Sequence, residues 1–309
     1  MWRARVIVLL ALAGCYQPAP GAGAPCAERE LCPSGQSCVA GRCQIGGGGE
    51  PDASPDGTVP TDAAIIVDAA PDAAPSMWSA PVPIPGVNTG SAESDPTMSA
   101  DRLTIVFTRS GDLFIGTRAS TAASFTVVAL TVANSAATEA SPELSPDGSI
   151  LHFTSDRLVA NDRDVYISTR VGTELSAPTR VEGLSTTTAS EGDVAISPDG
   201  LTAIVSRSGA LFRSIRASTT APWPAAVTLG GGFGAGPAAP CLTLAGDLYF
   251  HADTDRNLYV ARKAGTGYDP PVPVAELNTV GGRDAAPFVL GADQRLLFER
   301  NGELYESTR

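Results

Sequence analysis

Ser145-Pro146-Asp147-Gly148-Ser149-Ile150-Leu151-His152-Phe153 opens a strand-turn-strand outline that returns four more times in this chain of 309 residues. With Ser145 as the anchor, the counterparts are Ser99, Ser197, Thr243 and Leu290, so the spacings are 46, 52, 46 and 47 residues. Self-similarity at that period is the signature of one four-stranded propeller blade per repeat. An aromatic or branched apolar residue follows each anchor: Phe107, Phe153, Val205, Phe250 and Phe298. Apolar residues of this kind suit a pleated surface that packs on its neighbours.

A second strand comes next, carrying Leu113-Phe114, Val165-Tyr166, Leu211-Phe212, Leu258-Tyr259 and Leu304-Tyr305. Each copy reaches a cation four residues past its aromatic: Arg118, Arg170, Arg216, Lys263 and Arg309. Ser110-Gly111, Ser208-Gly209 and Asn301-Gly302 join the two strands, and such dipeptides supply the positive φ of a two-residue hairpin. A further strand starts with a large apolar residue (Trp78, Phe125, Leu175, Trp223 or Tyr268). Its prolines mark an edge strand that need not donate every ladder bond, so it is placed outermost. The first of these copies precedes the first blade, and the chain stops on an unpartnered third strand ending at Arg309. Pairing the two closes a ring and removes exposed edges. The expectation is an all-β, five-bladed propeller over 78–309, closed by the strand that begins at Trp78.

The turn resembles the TolB-type propeller repeat, whose mark is Ser-Pro-Asp-Gly before an apolar strand. Ser145-Pro146-Asp147-Gly148 and Ser197-Pro198-Asp199-Gly200 carry it in full, Ser99-Ala100-Asp101 and Ala245-Gly246-Asp247 in part. The resemblance implies a WD-like fold and a protein-binding platform in the bacterial envelope. It implies no activity, because propellers host many unrelated functions.

The N-terminus places Arg3 and Arg5 before the apolar run Val6 to Ala13. That is the pattern of a short secretory signal over 1–14, too short to span a bilayer. Leu12-Ala13-Gly14-Cys15 resembles the lipobox of bacterial lipoproteins, which implies acylation of Cys15 and a membrane anchor. Tyr16 follows in place of an inner-membrane retention Asp, so the outer membrane is expected. No later segment approaches 18 consecutive apolar residues, the minimum for a spanning helix.

Residues 15–44 hold Cys26, Cys32, Cys38 and Cys43 in one dense stretch. In an exported chain this reads as two disulfides in one of three pairings, with a zinc site as the alternative. A module this small lacks a core of its own and needs such bridges. Residues 45–77 form a Gly/Pro/Asp/Ala-rich segment with six acids and no base, half of the net charge of −12. Low hydrophobicity and like charge predict a flexible linker with an end-to-end distance of roughly 30 Å. Cys241 is expected as a small buried apolar residue.

Chemistry-bearing residues fall into two groups. Glu93, Glu139, Glu191 and Asp284 stand three residues before an inner-strand proline or its equivalent, with Pro237 in the fourth copy. They either face one another at a channel mouth, attracting a cation or basic partner, or each serves its own blade by capping backbone or pairing with a hairpin arginine such as Arg109, Arg157, Arg207, Arg256 or Arg300. The second group departs from the repeat: the long hairpin with Asp156, Arg157, Asp162 and Asp164, the turn with Asp253 and Asp255, and the loop Gly230 to Gly236. These are expected on the same face as the acids, as a binding surface. Asp253-x-Asp255 lacks the glycine and terminal glutamate of a calcium loop, there is no G-x-S-x-G elbow, and His152 and His251 lack metal-ligand spacing and are expected on the surface. No catalytic residue, metal or cofactor is assigned. The acidic chain disfavours nucleic acid. The expected function is a monomeric, non-catalytic propeller that binds a protein or a glycan, with a propeller glycosidase using paired carboxylates as the rival.

Overall fold

The computed structural model describes residues 77–309 except 172, 173, 231, 235, 292 and 293, with backbone only at 171 and 174 and in the strands Gln36–Val39 and Arg42–Ile45. Those two strands form a separate antiparallel hairpin in which Cys38 is the register partner of Cys43. The signal segment, Cys15, Cys26, Cys32 and the linker through residue 76 lie outside the described residues.

The described residues from 77 onward are strands and turns, with no helix among them. They make five antiparallel blade sheets and one separate two-stranded hairpin. Blade 1 is Glu93–Met98, Thr104–Arg109, Asp112–Thr117 and Thr126–Ala129. Blade 2 is Glu139–Leu144, Ile150–Val159 and Asp162–Val171, with Glu174–Leu175 and Thr179–Arg180 sharing its outer edge. Blade 3 runs Glu191–Ile196, Thr202–Arg207, Ala210–Ile215 and Val227–Thr228. Blade 4 runs Pro237–Leu242, Leu248–Ala252, Leu258–Ala261 and Val272–Pro273. Blade 5 takes Asp284–Leu290, Arg295–Arg300 and Glu303–Thr308 from the C-terminus. Its fourth strand is Val82–Pro83, which pairs with Tyr305 and Glu306. The ring therefore closes as the strand count requires, and Arg309 stacks 4.6 Å over the Trp78 ring at the join.

Local chemistry explains why each repeat folds this way. In the turn after the inner strand of blades 1, 2 and 3, Ser99, Ser145 and Ser197 donate to Asp101, Asp147 and Asp199 at 2.6, 2.6 and 2.5 Å. The same hydroxyls accept from the N–H of Thr104, Ile150 and Thr202. Gly148 and Gly200 take φ of 71° and 72° there, a left-handed conformation that glycine adopts without strain. In four blades the cation ending the third strand lies over the aromatic that opens the outer strand: Arg118 on Phe125, Arg216 on Trp223, Lys263 on Tyr268 and Arg309 on Trp78. Two repeating features of the sequence are thus the two halves of one contact.

Blades pack face on face, so both surfaces of a second strand are covered. Phe107, Phe153, Phe250 and Phe298 are essentially inaccessible. His152 and His251, adjacent in sequence to two of them, are also buried, which corrects the expectation of surface histidines. Side chains alternate across a strand, and in a propeller the opposite face meets the next blade instead of water.

Close approach between blades depends on Gly183. A Cβ there would sit 1.8 Å from the Trp223 carbonyl oxygen, so the segment leading into the outer strand of blade 3 would have to move. Gly183→Ala is expected to destabilise the propeller by about 2–3 kcal/mol, read as a fall in the chemical-denaturation midpoint. An unchanged midpoint would show that the backbones part freely.

Candidate functional site

Every inner strand begins beside the hairpin of its own second strand, and a carboxylate is buried at that corner in four blades. Glu93, Glu139, Glu191 and Asp284 are all fully buried. Their partners are Arg109 at 2.8 Å, Arg157 at 3.0 Å, Arg207 at 2.8 Å and Arg300 at 2.7 Å. Each arginine also donates to a carbonyl in the loop entering the blade: Val87, Ala133, Leu184 or Leu277. The loop hydroxyls of Thr89, Ser135 and Thr186 donate back to the carboxylate. The unit is a clasp that ties a loop, an inner strand and a hairpin together. Burial pushes the Glu191 pKa up even though Thr186 N–H and the Arg207 charge pull it down.

The fourth blade lacks both halves of this clasp. Pro237 stands opposite Ala252 where the other blades pair an acid with an arginine or, in blade 2, Ser155. Phe233, in the loop before Pro237, is buried and packs edge-on against Phe250 and Tyr268 at 5.7 and 5.9 Å. Arg256, considered above as a clasp arginine, has no carboxylate at that corner to meet.

The throat of the channel is built from the position two residues further along. Asp95, Ser141, Asp193, Ala239 and Ala286 line it, with Glu143 below them. Each inner strand carries a register shift here. Four of these residues (Asp95, Ser141, Ala239 and Ala286) have φ between 43° and 51°. A bulge of this kind re-aims the side chain, which is why strand alternation did not reveal the set. Asp193 accepts from Ser141 Oγ at 2.6 Å, Ser206 Oγ at 2.7 Å and Ala239 N at 2.9 Å. Burial, followed by the charge of Asp193, pushes the Asp95 pKa up. His251 accepts from Ala286 N through Nδ1 at 3.3 Å, and its Nε2 lies 3.5 Å from Asp253. Burial lowers the His251 pKa against the pull of Asp193, Asp253 and Asp95. Burial raises that of Glu299, which meets Arg283 Nε at 3.2 Å. The free space at the throat is about 20 Å³, room for about one water molecule.

Of the residues singled out for leaving the repeat, several are committed to local structure. Asp164 is buried and pairs with Arg180 at 2.7 Å, so it does not belong to the exposed hairpin. Asp156 accepts from Thr138 N and Asn161 N at 2.7 and 2.9 Å. Those N–H groups hold its carboxyl below the usual range. Asp255 accepts from the Tyr259 hydroxyl at 2.6 Å. Asp253 keeps 65% of its side chain exposed, and Asp162 is half-buried at the hairpin end. Both sit on the clasp face: Asp253 N bonds Gly236 O, and Asp156 N bonds Thr138 O.

Sequence reasoning missed Asp95, Asp193, His251 and Glu299. A signal was present: the residue after each second-strand apolar anchor is Thr108, Thr154, Ser206, His251 or Glu299, polar in all five copies. Cys241 is buried as expected and its sulfur accepts from Val289 N.

No family model matches the sequence, and no curated protein matches it. Several solved structures are similar to it. A putative TolB from Agrobacterium tumefaciens is 15% identical with a TM-score of 0.44, covering 68% of this chain and 70% of that one. XC5397 of Xanthomonas campestris, described as a gluconolactonase, is 13% identical with a TM-score of 0.48, covering 74% and 89%. A PQQ-bound aldose sugar dehydrogenase from Streptomyces coelicolor is 13% identical with a TM-score of 0.47, covering 74% and 98%. Likeness at this level assigns no activity to the chain.

Proposed function

We propose that this protein is an envelope lipoprotein whose propeller serves as a non-catalytic platform for a protein or glycan. The observation that carries the reading is the clasp. A glycosidase needs two carboxylates free to act across an open space, and all four repeated carboxylates are buried on arginines within 3.0 Å. The aspartates at the throat adjoin a space of about 20 Å³, which admits no sugar ring. The rim offers Asp253, Asp162 and the loop from Gly230, all beside irregular connections of the kind that carry binding. Cys15 supplies the lipid, and the linker supplies the reach.

Palmitate labelling of the full chain in a bacterial host tests the anchor. Cys15→Ser is expected to abolish labelling and release the protein from membranes; continued labelling would overturn it. For the platform, purified protein is screened against envelope proteins and polysaccharides with Asp162→Ala/Asp253→Ala as the control. The double variant is expected to lose at least about tenfold in affinity. Polysaccharide hydrolysis that disappears in Asp95→Asn would defeat the non-catalytic reading in favour of the rival.

A further inference from the structure

Blade 4 departs furthest from the repeat, and its departure walls a groove against blade 3. After the third strand ends at Ala261, an extra hairpin of Lys263–Ala264 and Gly267–Tyr268 precedes the outer strand. The groove has a volume of about 430 Å³ and is lined by Arg213, Lys263, Tyr268, Thr202, Thr266 and Asp199, among others. That volume lies in the range of small-ligand sites. It opens at the turn end of the inner strands, beside Ser197 and Thr243, away from the clasp face.

The groove's charge is unusual for this molecule. The chain has 33 acids and 21 bases, yet Arg213 and Lys263 line one groove and neither forms an ion pair among the described residues. Arg213 spends one N–H on Thr266 O at 2.8 Å. Lys263 Nζ lies 4.9 Å over the Tyr268 ring. Burial, and then the Arg213 charge, lower the Lys263 pKa, as expected for two cations held close. In blades 1 and 3 the equivalent cation is an arginine whose Nε is tied to a turn carbonyl, Arg102 O at 2.8 Å or Gly200 O at 2.7 Å. A lysine has no fork to hold a carbonyl and stack at once, so its donors stay available. The nearby acids are otherwise engaged. Asp247 meets Arg262 Nη1 and Lys263 N at 2.6 and 2.7 Å. Asp199 meets Ser197 Oγ and Leu201 N at 2.5 and 2.9 Å.

We propose that this groove binds the carboxylate or phosphate of a small polyhydroxylated ligand, with the oxyanion between Arg213 and Lys263 and the remainder along Thr202 and Thr266. The inference is independent of the platform on the opposite face. Calorimetric titration of the whole protein at low salt compares glucuronate, glucose 6-phosphate, inorganic phosphate and glucose. Both anionic sugars are expected to bind saturably and glucose not; phosphate binding as well as the sugars would identify the free oxyanion as the source. Lys263→Gln and Arg213→Gln are each expected to weaken binding by at least about tenfold, and added salt to weaken it further. Lys263 is exposed, so Lys263→Gln should keep the native melting temperature even if Arg213→Gln does not. Glucose binding as well as its phosphate, unchanged affinity in Lys263→Gln, or no binding by either anionic sugar would overturn the proposal.

Discussion

Arg207→Met is expected to destabilise the propeller by about 3–5 kcal/mol, because it leaves Glu191 buried without its counter-ion. This clasp is the most enclosed of the four: Arg207 is 6% exposed and Glu191 not at all. The substitution also orphans the Leu184 carbonyl, which accepts from Arg207 at 2.8 Å. The stability change would be read from denaturant midpoints at pH 7. The decisive comparison is the double variant Glu191→Leu/Arg207→Met. Removing both partners of a buried pair is often close to neutral where removing one is costly, so the double variant should recover part of the loss. Simple additivity of the two single effects would show that the residues do not act as one unit. Blade 4 already contains the double replacement, with Pro237 and Ala252 in the pair's positions.

Acidification from about pH 6.5 to about pH 4 is expected to remove up to about 3 kcal/mol of stability through His152 alone. Burial brings the His152 pKa down from 6.5 to about 4. The residue is 4% exposed and Nε2 has no hydrogen-bond partner among the described residues. Within that window the unfolded chain takes up the proton and the folded chain does not, so unfolding is favoured as pH falls. Below the window both states are protonated and the loss is complete. Glu143, Asp95 and Glu299 work in the opposite sense. Burial raises their pKa values, so their contribution is full at low pH and is lost as pH rises through the folded-state values. A difference measurement separates these effects: His152→Gln should flatten the stability profile between pH 6.5 and 4 relative to the native chain. Parallel profiles would mean that the imidazole is hydrated in the folded state.

The two predictions concern different layers of the same blades. The clasp governs how each loop is held against its own blade, whereas His152 reports how completely two neighbouring blades exclude water. The candidate sites lie between these layers: the rim, the throat and the groove beside Lys263. The throat has room for about one water molecule, so the binding proposals rest on the rim and on the groove of about 430 Å³.

Period, strand order and ring closure were legible in the chain because they depend on local chemistry repeated five times. A Ser-x-Asp turn satisfies its own backbone wherever it occurs, and a cation four residues past an aromatic reaches the next outer strand by strand geometry alone. Trp78 and Arg309 could be paired from the count of strands, since an open ring leaves two bare edges. What the repeated carboxylates do was decided only by tertiary structure. Glu93 and Asp95 differ by two positions, and regular alternation would put them on one face. The bulge between them sends the first into a clasp with Arg109 and the second into the channel. The groove at Arg213 and Lys263 joins residues 50 positions apart in sequence, through packing of one blade on the next. No local pattern encodes such a meeting, because the side chains come together only when blade 4 packs on blade 3.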